Sequence, residues 1–65
     1  MTENSMAIHF HDFGEDQEGF FAVRRIGDKV ALCLSLERNG DVEALLDKEA
    51  VIKFIHSLTD AIKIE

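Results

Sequence analysis

The chain has 65 residues, with 13 acidic and 7 basic side chains and a formal net charge of −6. That length leaves room for one small domain. One cysteine excludes an internal disulfide and a cysteine-based zinc framework, and the acidic balance disfavours general binding to a phosphate backbone. A chain this short buries only about 60% of its unfolded surface, so self-association is the expected extra source of buried area.

A hydrophobic content of 46% without any proline argues against disorder. Residues Met1 to Phe13 carry no basic segment followed by an apolar run, and Glu3 interrupts the start, so no targeting signal is expected. No apolar run approaches the ~20 residues needed to span a bilayer. The unpaired Cys33 fits a reducing compartment, so a cytoplasmic setting is expected.

In chain order, residues 6–13 read as a first strand, and Gly14 to Gly19 as an acidic loop bracketed by glycines. A second strand is expected over 20–26. Gly27-Asp28 then has glycine at the first position of a two-residue II′ turn. The third strand is expected over 29–38, and Asn39-Gly40 reads as a two-residue type I′ hairpin leading into a fourth strand over 41–46. Asp47 is a good N-cap for a helix over 48–63, with Glu49 near its start and Lys63 in its last turn. The expected fold class is α+β: an antiparallel meander of three to four strands, with one C-terminal helix packed on one sheet face.

At 100° per residue the helix carries Val51, Ile55, Leu58 and Ile62 as a central stripe, with Phe54 on one flank and Ile52 on the other. The apolar arc is about 200° wide, where one packed face needs roughly 100°. The two inferred turns fix a register that pairs Phe21 with Leu34 and Cys33 with both Ala22 and Leu46. One sheet face then presents Phe21, Val23, Val30, Leu32, Leu34, Leu36 and Leu45 to the helix. The other presents Ala22, Ala31, Cys33, Ala44 and Leu46 with few charges. A solvated face would carry more polar side chains. Those five residues, with Phe54 of the helix, are therefore the expected interface of a homo-oligomer, a dimer in the first instance.

Candidate chemistry is sparse. His9 and His11 share one strand face and Asp12 follows, a set that resembles a metal site in type. Strand neighbours on one face do not make three convergent ligands, so no metal or other cofactor is expected. His56 lies four residues before Asp60 on the polar side of the helix, an ordinary surface pair. Cys33 falls mid-strand among apolar neighbours, where a thiol packs rather than reacts. With no phosphate loop and no paired carboxylates, enzyme activity is not expected.

Arg24, Arg25, Lys29 and Arg38 form a local positive patch, and Phe20 adds an aromatic surface. Arg24, Arg25, Lys29 and Phe20 are the candidate contacts for a ligand or partner, although alternation sends Arg24 and Arg25 to opposite faces. Glu3, Asp12, Glu15, Asp16, Glu18, Glu37, Asp41 and Glu43 supply a negative field that would steer the chain toward a basic partner. The expected function is a non-enzymatic, homo-oligomeric binding protein that engages another macromolecule, as a small acidic inhibitor or adaptor. The alternatives are sequestration of a nucleotide-like ligand at subunit interfaces and a single-strand nucleic-acid module using Phe20 and Arg24. A protein partner is favoured over nucleic acid, and no membrane association is expected.

Overall fold

Period-two alternation of apolar and polar side chains sets out four strands, and short turns make their spatial order the same as their sequence order. The computed structural model describes residues 5–63; Glu3 of the acidic set lies outside them. β1 (Ser5–Asp12), β2 (Gln17–Ile26), β3 (Lys29–Leu36) and β4 (Gly40–Leu46) form one antiparallel sheet, and α1 (Lys48–Ala61) follows. The fold class is α+β, as the sequence implies. No helix among the described residues is long and apolar enough to cross a membrane.

The central hairpin has the expected register. Ile26 pairs with Lys29, Val23 with Leu32, Ala22 with Cys33 and Phe21 with Leu34. Gly27 takes φ +62° and Asp28 does not turn positive, the pattern of signs that a II′ turn requires. The fourth strand departs from expectation. Leu36 pairs with Gly40, so three residues (Glu37, Arg38 and Asn39) form the turn in place of Asn39-Gly40. Gly40 still needs its lack of a side chain, because it opens β4 at φ +88°.

The physical cause lies across the turn. The Asn39 carboxamide and the Arg38 amide are both held by Gln17, and the Glu37 amide donates to the Glu18 carbonyl. These bonds fold the turn onto the start of β2 and commit Asn39 to it. The pairing is thereby displaced by an odd number of residues, which turns every side chain of β4 to the opposite face. Leu34 now faces Val42 and Cys33 faces Glu43. Val42, Ala44 and Leu46 join the helix side of the sheet, while Asp41, Glu43 and Leu45 go to the outside.

The expected interface of Ala22, Ala31, Cys33, Ala44, Leu46 and Phe54 is therefore not one surface. Ala22, Ala31 and Cys33 stay on the outer face, beside Arg24, Glu43 and Asp41. Ala44, Leu46 and Phe54 belong to the inner, helix side. With its charges restored, the outer face reads as solvated. The surplus apolar surface is on the inner one.

Two boundaries also move. β2 begins at Gln17, so Gln17, Glu18 and Gly19 are strand residues rather than loop. The Asp47 carboxylate caps α1 as expected, accepting from the Ala50 amide at 2.9 Å. The helix ends at Ala61 rather than continuing to 63, so Lys63 lies beyond it and the last turn carries no basic residue.

α1 approaches β3 and β4 and no other strand. None of its residues is buried, and Phe54, Ile55 and Leu58 remain 41%, 52% and 51% exposed. Among the described residues Ala31 is the only buried apolar side chain, apart from the backbone of Gly19. The sheet is well paired and the core is not closed.

Candidate functional site at the acidic end of the sheet

In a meander, the β1–β2 and β3–β4 turns come to the same end of the sheet. Here they are locked side by side by Gln17, the most buried polar side chain described, at 2% exposure. Its Nε2 donates to Asp12 Oδ2 at 2.9 Å and to Asn39 Oδ1 at 2.5 Å. Its Oε1 accepts from the Arg38 amide at 2.8 Å. The Arg38 guanidinium reaches across and donates to the Glu15 carbonyl. A buried carboxamide with this many bonds satisfied is a fixed strut between two turns.

The lock gathers charge. Asp12, Glu15, Asp16, Glu18, Glu37 and Asp41 all lie at this end, with the Arg38 guanidinium and the titratable His11 nearby. Asp12 sits at the end of β1, where Oδ1 accepts from the Gly14 amide at 2.9 Å and turns the chain. The hydrogen bond from the Gln17 amide is the main cause that holds the Asp12 carboxyl below its ordinary range; desolvation opposes it, and the Gly14 amide adds to the lowering. Asp16 takes φ +52°, a left-handed conformation that aspartate tolerates better than most residues. Glu37 Oε1 accepts from the Glu18 amide at 3.2 Å, and Asp41 accepts from the Ser35 hydroxyl at 2.7 Å.

His11 bridges two of these carboxylates. Its Nδ1 lies 2.7 Å from Glu18 Oε2 and its Nε2 lies 3.0 Å from Asp16 Oδ1. With both ring nitrogens facing acceptors, the imidazolium is favoured. The hydrogen bond to Glu18 is the main cause that raises the His11 pKa above its ordinary value, offset in part by desolvation. Because the folded value is raised, this contribution to stability is complete below the unfolded pKa of about 6.5. It is lost as pH climbs through the higher folded value. The melting temperature is thus expected to fall as pH rises above about 6.5, and His11→Gln is expected to flatten that part of the profile. An unchanged slope in the variant would remove His11 as its source.

Of the positive patch, Arg38 lies at this acidic end, whereas Arg24, Arg25 and Lys29 lie toward the opposite end of the sheet, and each already has a partner. Arg24 Nη2 lies 3.9 Å from Glu43 Oε2, Arg25 Nε donates to the Gly27 carbonyl at 3.1 Å, and Lys29 Nζ meets Asp28 at 3.0 Å. Arg24 points outward and Arg25 inward, in keeping with their alternation. Phe20 is on the outer face beside His9, with ring centroids 5.6 Å apart. These side chains do not converge on a common point. His9 and His11 also have separate environments, and among the described residues no group of three or more His, Cys, Asp or Glu is placed to hold a metal ion. Cys33 is a free, half-buried thiol mid-strand.

Sequence reasoning placed Gln17 in a loop. The signal that could have found it is slight: one uncharged amide within an otherwise acidic stretch, flanked by a residue pattern that also suits a strand. No protein-family model, curated protein or solved structure matches this chain.

Proposed function

We propose that this chain is a non-enzymatic binding protein whose acidic end docks on a basic surface of another macromolecule, as an inhibitor or adaptor does. The observation that carries this reading is the clustering of carboxylates from the ends of two hairpins around the Gln17 strut. A negative patch held in fixed geometry loses little conformational freedom on binding, and its field accelerates encounter with a basic partner. Arg24, Arg25 and Lys29 are, by contrast, spread over both faces and each has a partner within the chain, so they offer less to a phosphate-bearing ligand.

The test is affinity capture from the native host, comparing the wild type with Glu15→Lys/Asp41→Lys. Neither substitution touches Gln17. A partner held by the wild type should bind the charge-reversed protein at least tenfold more weakly, and should be released from the wild type by moderate salt. A captured partner whose affinity is indifferent both to the variant and to salt would overturn the reading.

A further inference from the structure

The inner face of the sheet is two helices wide and the described residues provide one. Four strands at about 4.8 Å spacing give a surface of roughly 19 Å, whereas packed helices sit about 8–10 Å apart. α1 approaches only β3 and β4. Over β1 and β2 the inner face is left open, with Met6 61% and Ile8 54% exposed. Between this open half and the helix runs a groove of about 390 Å³, with Ile8, Phe21 and Val23 on its sheet side and Phe54, Ile55 and Leu58 on its helix side.

We infer that a second copy of this chain covers that groove, in a two-fold dimer in which each α1 lies against both sheets. Three observations support an occupant on this face, and the last of them favours a copy of this chain over an unlike partner. The described chain exposes 5500 Å², about 1300 Å² more than the roughly 4200 Å² expected of a folded monomer of its mass. Removing that excess from each of two copies buries about 2600 Å² in total, within the range of obligate homodimers. The radius of gyration is 13.4 Å, against about 11 Å for a compact chain of this length.

The third observation concerns shape. The open half of the sheet lacks an amphipathic helix, and α1 has more apolar arc than its own sheet can cover, with Ile52 at 44% exposure and Ile62, the C-cap just past its end, at 75%. What one copy lacks, the other has in surplus. A two-fold axis satisfies both needs at once, because the same patch serves on each side. The acidic end lies away from the groove, at the turns, and stays free in the dimer.

Sedimentation equilibrium at 1–50 µM tests the inference on the wild type, Ile8→Glu on the inner face and Ala22→Glu on the outer face. The wild type should show twice the 7.3 kDa chain mass, and its melting temperature should rise with protein concentration. Ala22→Glu should keep the two-chain mass. Ile8→Glu should weaken association at least a hundredfold, whether the separated chain stays folded or not. A folded wild type of one chain mass across this range would overturn the inference. So would a dimer disrupted by Ala22→Glu and untouched by Ile8→Glu, which would place the contact on the outer face. Both results are independent of Glu15→Lys/Asp41→Lys, so failure here leaves the acidic-end reading standing.

Discussion

Replacing Gln17 with leucine is expected to lower the melting temperature by roughly 10–25 °C, equivalent to about 2–4 kcal/mol in a domain of this size. The substitution keeps the side chain's bulk and removes its amide. Asp12 Oδ2, Asn39 Oδ1 and the Arg38 amide then lose their shared partner. A buried polar group left without a bond costs about 1–3 kcal/mol, and only part of that is recovered as water reaches the turns. Total stability for 65 residues is about 3–10 kcal/mol. The loss is therefore a large fraction of the whole.

Gln17→Glu separates the hydrogen-bonding cause from simple loss of packing. It keeps one oxygen for the Arg38 amide and turns the donor that met Asp12 and Asn39 into a second acceptor. The introduced carboxyl would sit buried beside the Asp12 carboxylate, so its folded pKa would be raised. Stability should then be recovered on acidification and lost as pH rises through that value. Gln17→Leu should show no such recovery. Thermal melts from pH 4 to 8 decide the matter: equal and pH-independent losses in both variants would mean that the amide bonds contribute nothing beyond filling space.

Much of the fold was legible because it depends on local chemistry. Gly27-Asp28 sets the central hairpin through the conformational freedom of one glycine, and Asp47 caps α1 through a bond within its own first turn. Both signals are complete within a few residues. The β3–β4 turn was misread because its determinant is distant in sequence: Asn39 is held by Gln17, 22 positions away, and that bond outweighs the preference of Asn-Gly for a two-residue turn. Since side chains alternate, the error passed to every residue of β4. It moved Ala44 and Leu46 to the inner face and Glu43 to the outer one. The expectation of surplus apolar surface came from composition and helix arc, which do not depend on register. Its location did, and the structure moves it to the inner side. Of the acidic end, the charges were legible and the strut that gathers them was not.

Gly19 shows the same dependence on distant contacts, and Gly19→Ala is expected to destabilise by about 1–3 kcal/mol despite adding a single methyl group. Gly19 is buried in β2, opposite Phe10 of β1 and Leu36 of β3. A Cβ there would lie 2.8 Å from the Ser35 carbonyl oxygen, 2.8 Å from Leu36 Cδ2 and 2.9 Å from Phe10 Cζ. The two side chains can swing away, but the Ser35 carbonyl belongs to the backbone of the pairing strand. The β2–β3 ladder must therefore widen next to the turn that Gln17 holds, and the damage should extend to the acidic end. Gly14→Ala is the matched control: its Cβ would meet only the Asp12 side chain, at 3.3 Å, with no positive φ to strain. Urea titrations of the two variants should show a clearly lower midpoint for Gly19→Ala and a nearly unchanged one for Gly14→Ala. Amide exchange at Glu37, whose N–H donates to the Glu18 carbonyl, should accelerate in Gly19→Ala alone. Equal midpoints would show that the strands separate freely at this point, and that the close approach of β2 and β3 is not what requires glycine.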